Sequence, residues 1–181
     1  MAAQDRDAHL DRALIGGREK REIVIVDYDS SWPARYQLER DRVRRALGAS
    51  ALRIEHIGST AVPGLAAKPI VDLLVAVADP DDETVTATAL EAAGYELRVR
   101  EPGHRMFRTP ERDVHAHVWA HSDPAVTRHL MFRDRLRRSP GDRDAYERLK
   151  RELAAREWAD MNEYADAKGA LIEAILARAD D

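Results

Sequence analysis

His56-Ile57-Gly58-Ser59-Thr60-Ala61-Val62-Pro63-Gly64-Leu65-Ala66-Ala67-Lys68-Pro69-Ile70-Val71-Asp72 decides how the rest of this 181-residue chain is read. The apolar-alternating run Leu52–Ile57 leads into it, and Leu73-Leu74-Val75 leads out. The pattern predicts a strand, a loop punctuated by Gly and Pro, and a second strand. Asp72 then stands inside an otherwise apolar strand. A bare carboxylate there is too costly, so it must be paired, hydrogen-bonded or bound to a cation. Lys68 is near enough in sequence to be its partner, or else to neutralise phosphate. Gly58, Ser59 and Thr60 offer the backbone N–H groups and hydroxyls that suit a phosphate cradle, or form an ordinary tight loop.

Working outward, residues 1–20 are polar, with Gly16-Gly17 and no apolar period, and are expected to be a flexible arm. The remainder, 21–181, is expected to be one domain with an α/β core over about 21–120 and a helical part over about 121–179. Glu22–Asp27 predicts a first strand. Ser31-Trp32-Pro33 starts a helix that ends at Gly48, with Trp32, Tyr36, Val43 and Leu47 on its buried face. The acidic run Asp79–Glu83 opens a second helix through Val85, Ala89 and Ala92. Tyr95–Arg100, His104–Thr109 and Asp113–Trp119 predict an antiparallel meander. Asp123-Pro124 caps a helix to about Arg138. A further helix carries Tyr146, Leu149 and Leu153, and a last one runs from Met161 to Leu176. The sum is an α+β fold: a mixed or antiparallel sheet flanked by helices, with a C-terminal helical segment.

Composition narrows the function. The net charge of −4 gives no basic field for nucleic acid, and the absence of cysteine excludes thiolate zinc sites and thiol catalysis. No apolar run approaches the ~20 residues of a membrane span, and the N-terminal residues lack a signal-peptide core. A cytoplasmic protein with no membrane partner is expected.

Asp113, His115 and His117 recur at period two and share one face of their strand. His-x-His on a strand is a metal-ligating arrangement, or a polar pair on a solvated face. His129, Arg133 and Arg137 form a helical stripe that either clamps phosphate or faces water. Tyr164 and Lys168 are another i, i+4 pair. Lys168 is a candidate phosphate ligand, and Lys150 on the preceding helix a further one. His104, after the Pro102-Gly103 turn, is a loop-borne polar group with nothing else to support it.

His56–Leu65 followed by Lys68-Pro69-Ile70-Val71-Asp72 resembles the signature of the GrpB-like family. That family in turn resembles the nucleotidyltransferase superfold, marked by Gly-Ser, a spacer, and Asp-x-Asp/Glu on the next strand. Twelve residues separate Ser59 from Asp72, which fits, and the resemblance spans about Ile23 to Ile175. It implies a nucleotide-binding protein that transfers a nucleotidyl or phosphoryl group from ATP or a similar nucleotide to a small molecule. On that view Gly58, Ser59, Thr60, Lys68, Arg133 and Lys168 bind phosphate. Asp72, with His115 or His117 in place of a later-strand carboxylate, is catalytic and holds a divalent cation: magnesium, manganese or zinc. The superfold's second acid is Leu74 here. The alternative is therefore a non-catalytic nucleotide- or CoA-binding or regulatory module, related to the domain fused to dephospho-CoA kinase and contacting a protein partner yet to be identified.

Overall fold

The apolar run after Lys68 becomes β2 (Val71–Val77), and the sheet is assembled around it. The computed structural model describes residues 3–179. β1 (Arg53–Ile57) lies antiparallel on one side of β2, and β5 (Val114–Ala120) lies parallel on the other. β4 (His104–Arg108) and β3 (Glu96–Glu101) follow antiparallel, giving the order β1-β2-β5-β4-β3. The expected meander is β3-β4-β5, and its return strand makes the sheet mixed.

Strand alternation gives the sheet two covered faces. Val71, Leu73, Val75 and Val77 join Val114, Ala116 and Val118 under α2 (Trp32–Leu47) and α3 (Thr86–Ala92). Burying each such Val or Leu side chain stabilises the fold by about 1.5–3 kcal/mol. α2 buries Trp32, Tyr36, Val43 and Leu47, the face its spacing predicts. The opposite face carries Asp72, Leu74 and Ala76 beside His115, His117 and Trp119. It is covered by α4 (Pro124–Arg138), whose Val126 packs on Leu74. α5 (Pro140–Ala154), α6 (Met161–Asp166) and α7 (Gly169–Ala177) complete the helical part. Asp123 caps α4 by accepting the Ala125 N–H, and Ser139 caps α5 through Asp142 N–H.

Four local expectations change. Glu22–Asp27 forms no strand: only Val26 pairs, with Ala67, because β1 already occupies that edge of β2. α3 begins at Thr86, since Asp82 uses its carboxylate to hold the Thr84 N–H and hydroxyl in a turn. Its buried face is Thr86, Ala87 and Leu90, leaving Val85 exposed. The last helix is two, α6 and α7, separated at Ala167-Lys168. Residues 3–13, expected within a flexible arm, form α1 (Ala3–Ala13). The chain after α1 is tied to the sheet by Arg98, which donates to the carbonyls of Ile15 and Gly17, and by Glu19, which accepts from Arg108. No helix among the described residues is long and apolar enough to cross a membrane.

Candidate functional site

The β2–β5 ladder sets Asp72 opposite His115 and Leu74 opposite His117. Because β5 runs parallel to β2 in this register, its His-x-His pair lands on the Asp72 face. His115 Nδ1 lies 3.4 Å and His117 Nε2 3.8 Å from the same Asp72 oxygen, Oδ1. One ligand atom from each of the three lies within 4.8 Å of the others. Burial works against ionisation of Asp72, but the facing His115 and His117 nitrogens work more strongly the other way. Its carboxyl therefore sits well below the usual carboxylate range.

Gly58 lies directly against this carboxylate. Its φ is +69°, and a Cβ there would come 2.4 Å from Asp72 Oδ2. Only glycine accommodates both that backbone and that contact. From Gly58 the chain makes a short 3-10 turn, Ser59–Ala61, and its apolar residues Val62 and Leu65 pack into Leu136, Tyr146 and Ile175 of the helical part. Polar contacts clamp the loop as well. Arg137 donates to the Ala61 carbonyl at 2.7 and 2.9 Å, Glu147 accepts the Ala66 N–H at 3.0 Å, and Lys150 donates to the Ala66 carbonyl.

Between loop, sheet and α4–α7 lies a cavity of 470 Å³, within the range that holds small organic ligands. Gly58, Ser59, Thr60, Lys68, Asp72, His115, His117 and Lys168 all line it, as does Lys150. Asp72 is the one carboxylate among its described lining residues. Lys150, 3% exposed, reaches Ser59 Oγ at 3.1 Å. Lys68 and Lys168 place their amines over the Tyr164 ring, 5.2 and 4.6 Å from its centroid. Burial, and then the charge of Lys168, push the Lys150 amine down to about 7; burial and then Lys68 push Lys168 down to about 8. Burial also lowers Lys68, partly offset by Asp72. Lys68 is not an ion-pair partner of Asp72. Three crowded, desolvated amines thus line one side of the cavity.

Two predicted phosphate ligands sit differently. Arg133 is absent from the cavity. It is buried and donates to Glu55 at 2.9 Å, to the His56 carbonyl at 3.0 Å and to Asp134 at 2.8 Å, so it joins α4 to β1. The helical stripe identifies its face, but Glu55 on β1 claims that face first. Thr60 lies at the cavity wall but is 1% exposed, and its hydroxyl donates to the Ile70 carbonyl and meets His56 Nε2 at 3.0 Å. His56 stacks on Tyr36, and burial pushes it down to about 4. Asp113 ends outside β5, held by Arg35 and Thr109. Of the α4 stripe, His129 alone enters the cavity, where burial pushes it down to about 4. Tyr146 and Phe132 are cavity walls whose apolar spacing gave no sign of that duty. Glu101 holds His104 at 2.9 Å, a contact whose only sequence sign is the Glu101-Pro102-Gly103-His104 turn.

The donor set fits a divalent ion. A tetrahedral ion with ligands at 2.0–2.1 Å has donor–donor edges of roughly 3.3 Å, close to the Asp72–His115 separation.

The GrpB protein family profile matches residues 22–178, and this chain belongs to the GrpB family. A UPF0157 protein of Streptomyces coelicolor is 56% identical over 166 residues, covering 92% of this chain and 89% of that protein. The crystal structure of the conserved protein GrpB from Enterococcus faecalis superposes with a TM-score of 0.77 at 32% identity, covering 86% of this chain and 96% of that one. A dephospho-CoA kinase of Mycobacterium tuberculosis is 30% identical over 173 residues, covering 80% of this chain but 42% of the kinase.

Proposed function

We propose that this member of the GrpB family binds a nucleotide-class phosphate ester together with a divalent cation. The observation that carries this reading is the cavity itself, with Asp72, His115 and His117 on one wall and Lys68, Lys150 and Lys168 on the others. The lysines and Ser59 would take the phosphate oxygens, with Gly58 allowing close backbone approach. A cation held by Asp72, His115 and His117 would screen charge on a transferring phosphoryl group. Phe132 and the apolar wall of Ile172 and Leu176 offer a surface for a base or other organic part. The catalytic form of the proposal is transfer of a nucleotidyl or phosphoryl group from ATP or a similar nucleotide to a small acceptor.

Leu74 favours a second reading. It is wholly buried among Ile57, Ala76 and Val126, so the place of a second acid on β2 is filled by core. Likeness to part of a dephospho-CoA kinase fits a module that holds a nucleotide or CoA-like ligand without turning it over.

Thermal denaturation with ATP, CoA and dephospho-CoA, each with and without Mn²⁺ or Zn²⁺, tests binding. A ligand that binds the native state raises Tm by mass action, and about 2.7 kcal/mol is expected at 100 times Kd. No shift with any combination would end the nucleotide proposal. ATP labelled at the α or γ phosphate, incubated with the binding-competent protein, then separates turnover from holding.

A further inference from the structure

The cavity accounts for His117 but not for what stands behind it. Glu101 ends β3 and His104 begins β4, across the Pro102-Gly103 turn. One Glu101 oxygen meets His9 Nε2 at 2.7 Å, and the other meets His104 Nδ1 at 2.9 Å. His104 is buried and stacks flat on Trp119, with centroids 3.8 Å apart and planes within 9°. Its second nitrogen, Nε2, lies 3.3 Å from His117 Nδ1, and His117 Nε2 faces Asp72 Oδ1. Glu101, His104, His117 and Asp72 thus form one line from the sheet edge to the cavity.

Hydrogen-bond chemistry gives that line a direction. A carboxylate only accepts, so His104 Nδ1 carries the proton that Glu101 receives. A neutral, buried His104 then presents a lone pair at Nε2, which accepts the His117 Nδ1–H. His117 is left with an unprotonated Nε2, pointing across 3.8 Å at a carboxylate oxygen. Two acceptors facing each other call for a proton, a water or a cation between them, and one carboxylate and two imidazoles aimed at one point are a donor set suited to the last. The Asp72–His115 separation of 3.4 Å is also longer than the 2.7–2.9 Å of a charge-assisted hydrogen bond. Imidazole behind which a carboxylate fixes the tautomer is how proteins present a ligand to zinc-class ions. Magnesium prefers an all-oxygen octahedron, and this wall supplies one oxygen-bearing side chain and two nitrogens.

We infer that Asp72, His115 and His117 form a centre for a zinc-class transition-metal ion rather than for magnesium, and that Glu101 and His104 are positioning residues that set the tautomer of His117. This rests on the cation part of the function proposed above and narrows it.

The test uses the full chain and metal ions alone. Zn²⁺, Mn²⁺ and Mg²⁺ are titrated by calorimetry, with competition against a chromophoric chelator for tight binding. Zn²⁺ is expected to bind at least about 100-fold tighter than Mg²⁺, and Asp72→Asn to abolish the difference. His104→Phe keeps a flat ring on Trp119 but removes both nitrogens, and is expected to weaken Zn²⁺ about 10–100-fold although residue 104 is no ligand. Nitrogen-15 NMR of the metal-free wild type is expected to show His117 protonated at Nδ1, a measurement that needs no variant to fold. His117 protonated at Nε2, or unchanged Zn²⁺ affinity in folded His104→Phe, would overturn the positioning role. Mg²⁺ binding as tightly as Zn²⁺ would overturn the choice of metal. Zinc binding with no nucleotide binding leaves this inference intact and sinks the nucleotide reading; magnesium-dependent ATP binding with no zinc affinity does the reverse.

Discussion

The two charged walls of the cavity are built by different means. The Asp72–His115–His117 wall comes from neighbouring positions on two paired strands, so a backbone ladder fixes its geometry. A one-residue slip of β5 would turn both histidines into the apolar core. The lysine wall draws Lys68 from the loop, Lys150 from α5 and Lys168 from the junction of α6 and α7. No ladder joins them, and they share only the Tyr164 and Tyr146 rings and one another's repulsion. The strand wall is thus specified by covalent order and register, whereas the lysine wall is tuned by burial. Disturbing the first should cost fold and cation together. Disturbing the second should alter anion affinity and pH dependence while leaving the fold in place.

The largest effect is expected from Leu74→Asp, which writes a second acid into this strand two residues after Asp72. Leu74 is fully buried, so the new carboxylate enters core packing, and stability should fall by about 3–5 kcal/mol in urea denaturation. A stable variant with tightened metal binding would show that the strand wall tolerates what the ladder and packing here forbid.

Gly58→Ala comes next. A methyl group at 2.4 Å from Asp72 Oδ2, on a residue with φ of +69°, should cost about 2–4 kcal/mol and push the carboxylate off its position. Divalent-ion affinity should drop more than about tenfold, by the same logic as loss of a ligand's support, while binding of inorganic tripolyphosphate falls much less. Equal losses of both would mean that the two walls are not separable.

Lys150→Met probes the other side. Tripolyphosphate affinity should fall about tenfold, the scale of one charge-assisted hydrogen bond, with metal affinity within about twofold of wild type. The variant also carries a pH signature. Lys150 is lowered from its ordinary 10.5 to about 7 and Lys168 to about 8. Between those values and 10.5 the unfolded chain binds more protons than the folded one, so stability contributed by these groups rises with pH across that window. Removing Lys150 should flatten the rise, read as urea midpoints from pH 7 to 10. A wild-type profile that falls over this range would contradict burial as the tuning force.

Lys168→Met should give the smallest change: a few-fold loss of tripolyphosphate affinity, with the Lys150 part of the pH slope retained. A larger loss than that of Lys150→Met would move the anion's main contact to the α6–α7 junction.

Which contacts were legible follows from how far each signal reaches. Period-two spacing placed His115 and His117 on one face, and the Gly58-Ser59 to Asp72 spacing placed a loop and an acid at one strand end; both are local. The α2 face of Trp32, Tyr36, Val43 and Leu47 was legible for the same reason. Arg133 shows where local signals stop. Its stripe with His129 and Arg137 is real, yet the three diverge: His129 enters the cavity, Arg133 pairs with Glu55, and Arg137 clamps the Ala61 carbonyl. A helix period tells which residues share a side and nothing about what stands opposite.

Local patterning specified the strand–loop–strand unit, the antiparallel meander and the caps that open α4 and α5, because each is read from short runs of neighbouring residues. Tertiary structure alone decided that β5 lies parallel beside β2 with His115 opposite Asp72. It also decided that Glu22–Asp27 finds no ladder, and that Lys150 rather than Arg133 reaches Ser59. Those outcomes turn on partners some 40 to 90 positions away in the chain, where competition for a hydrogen bond or a counter-charge is settled by which group arrives within about 3 Å.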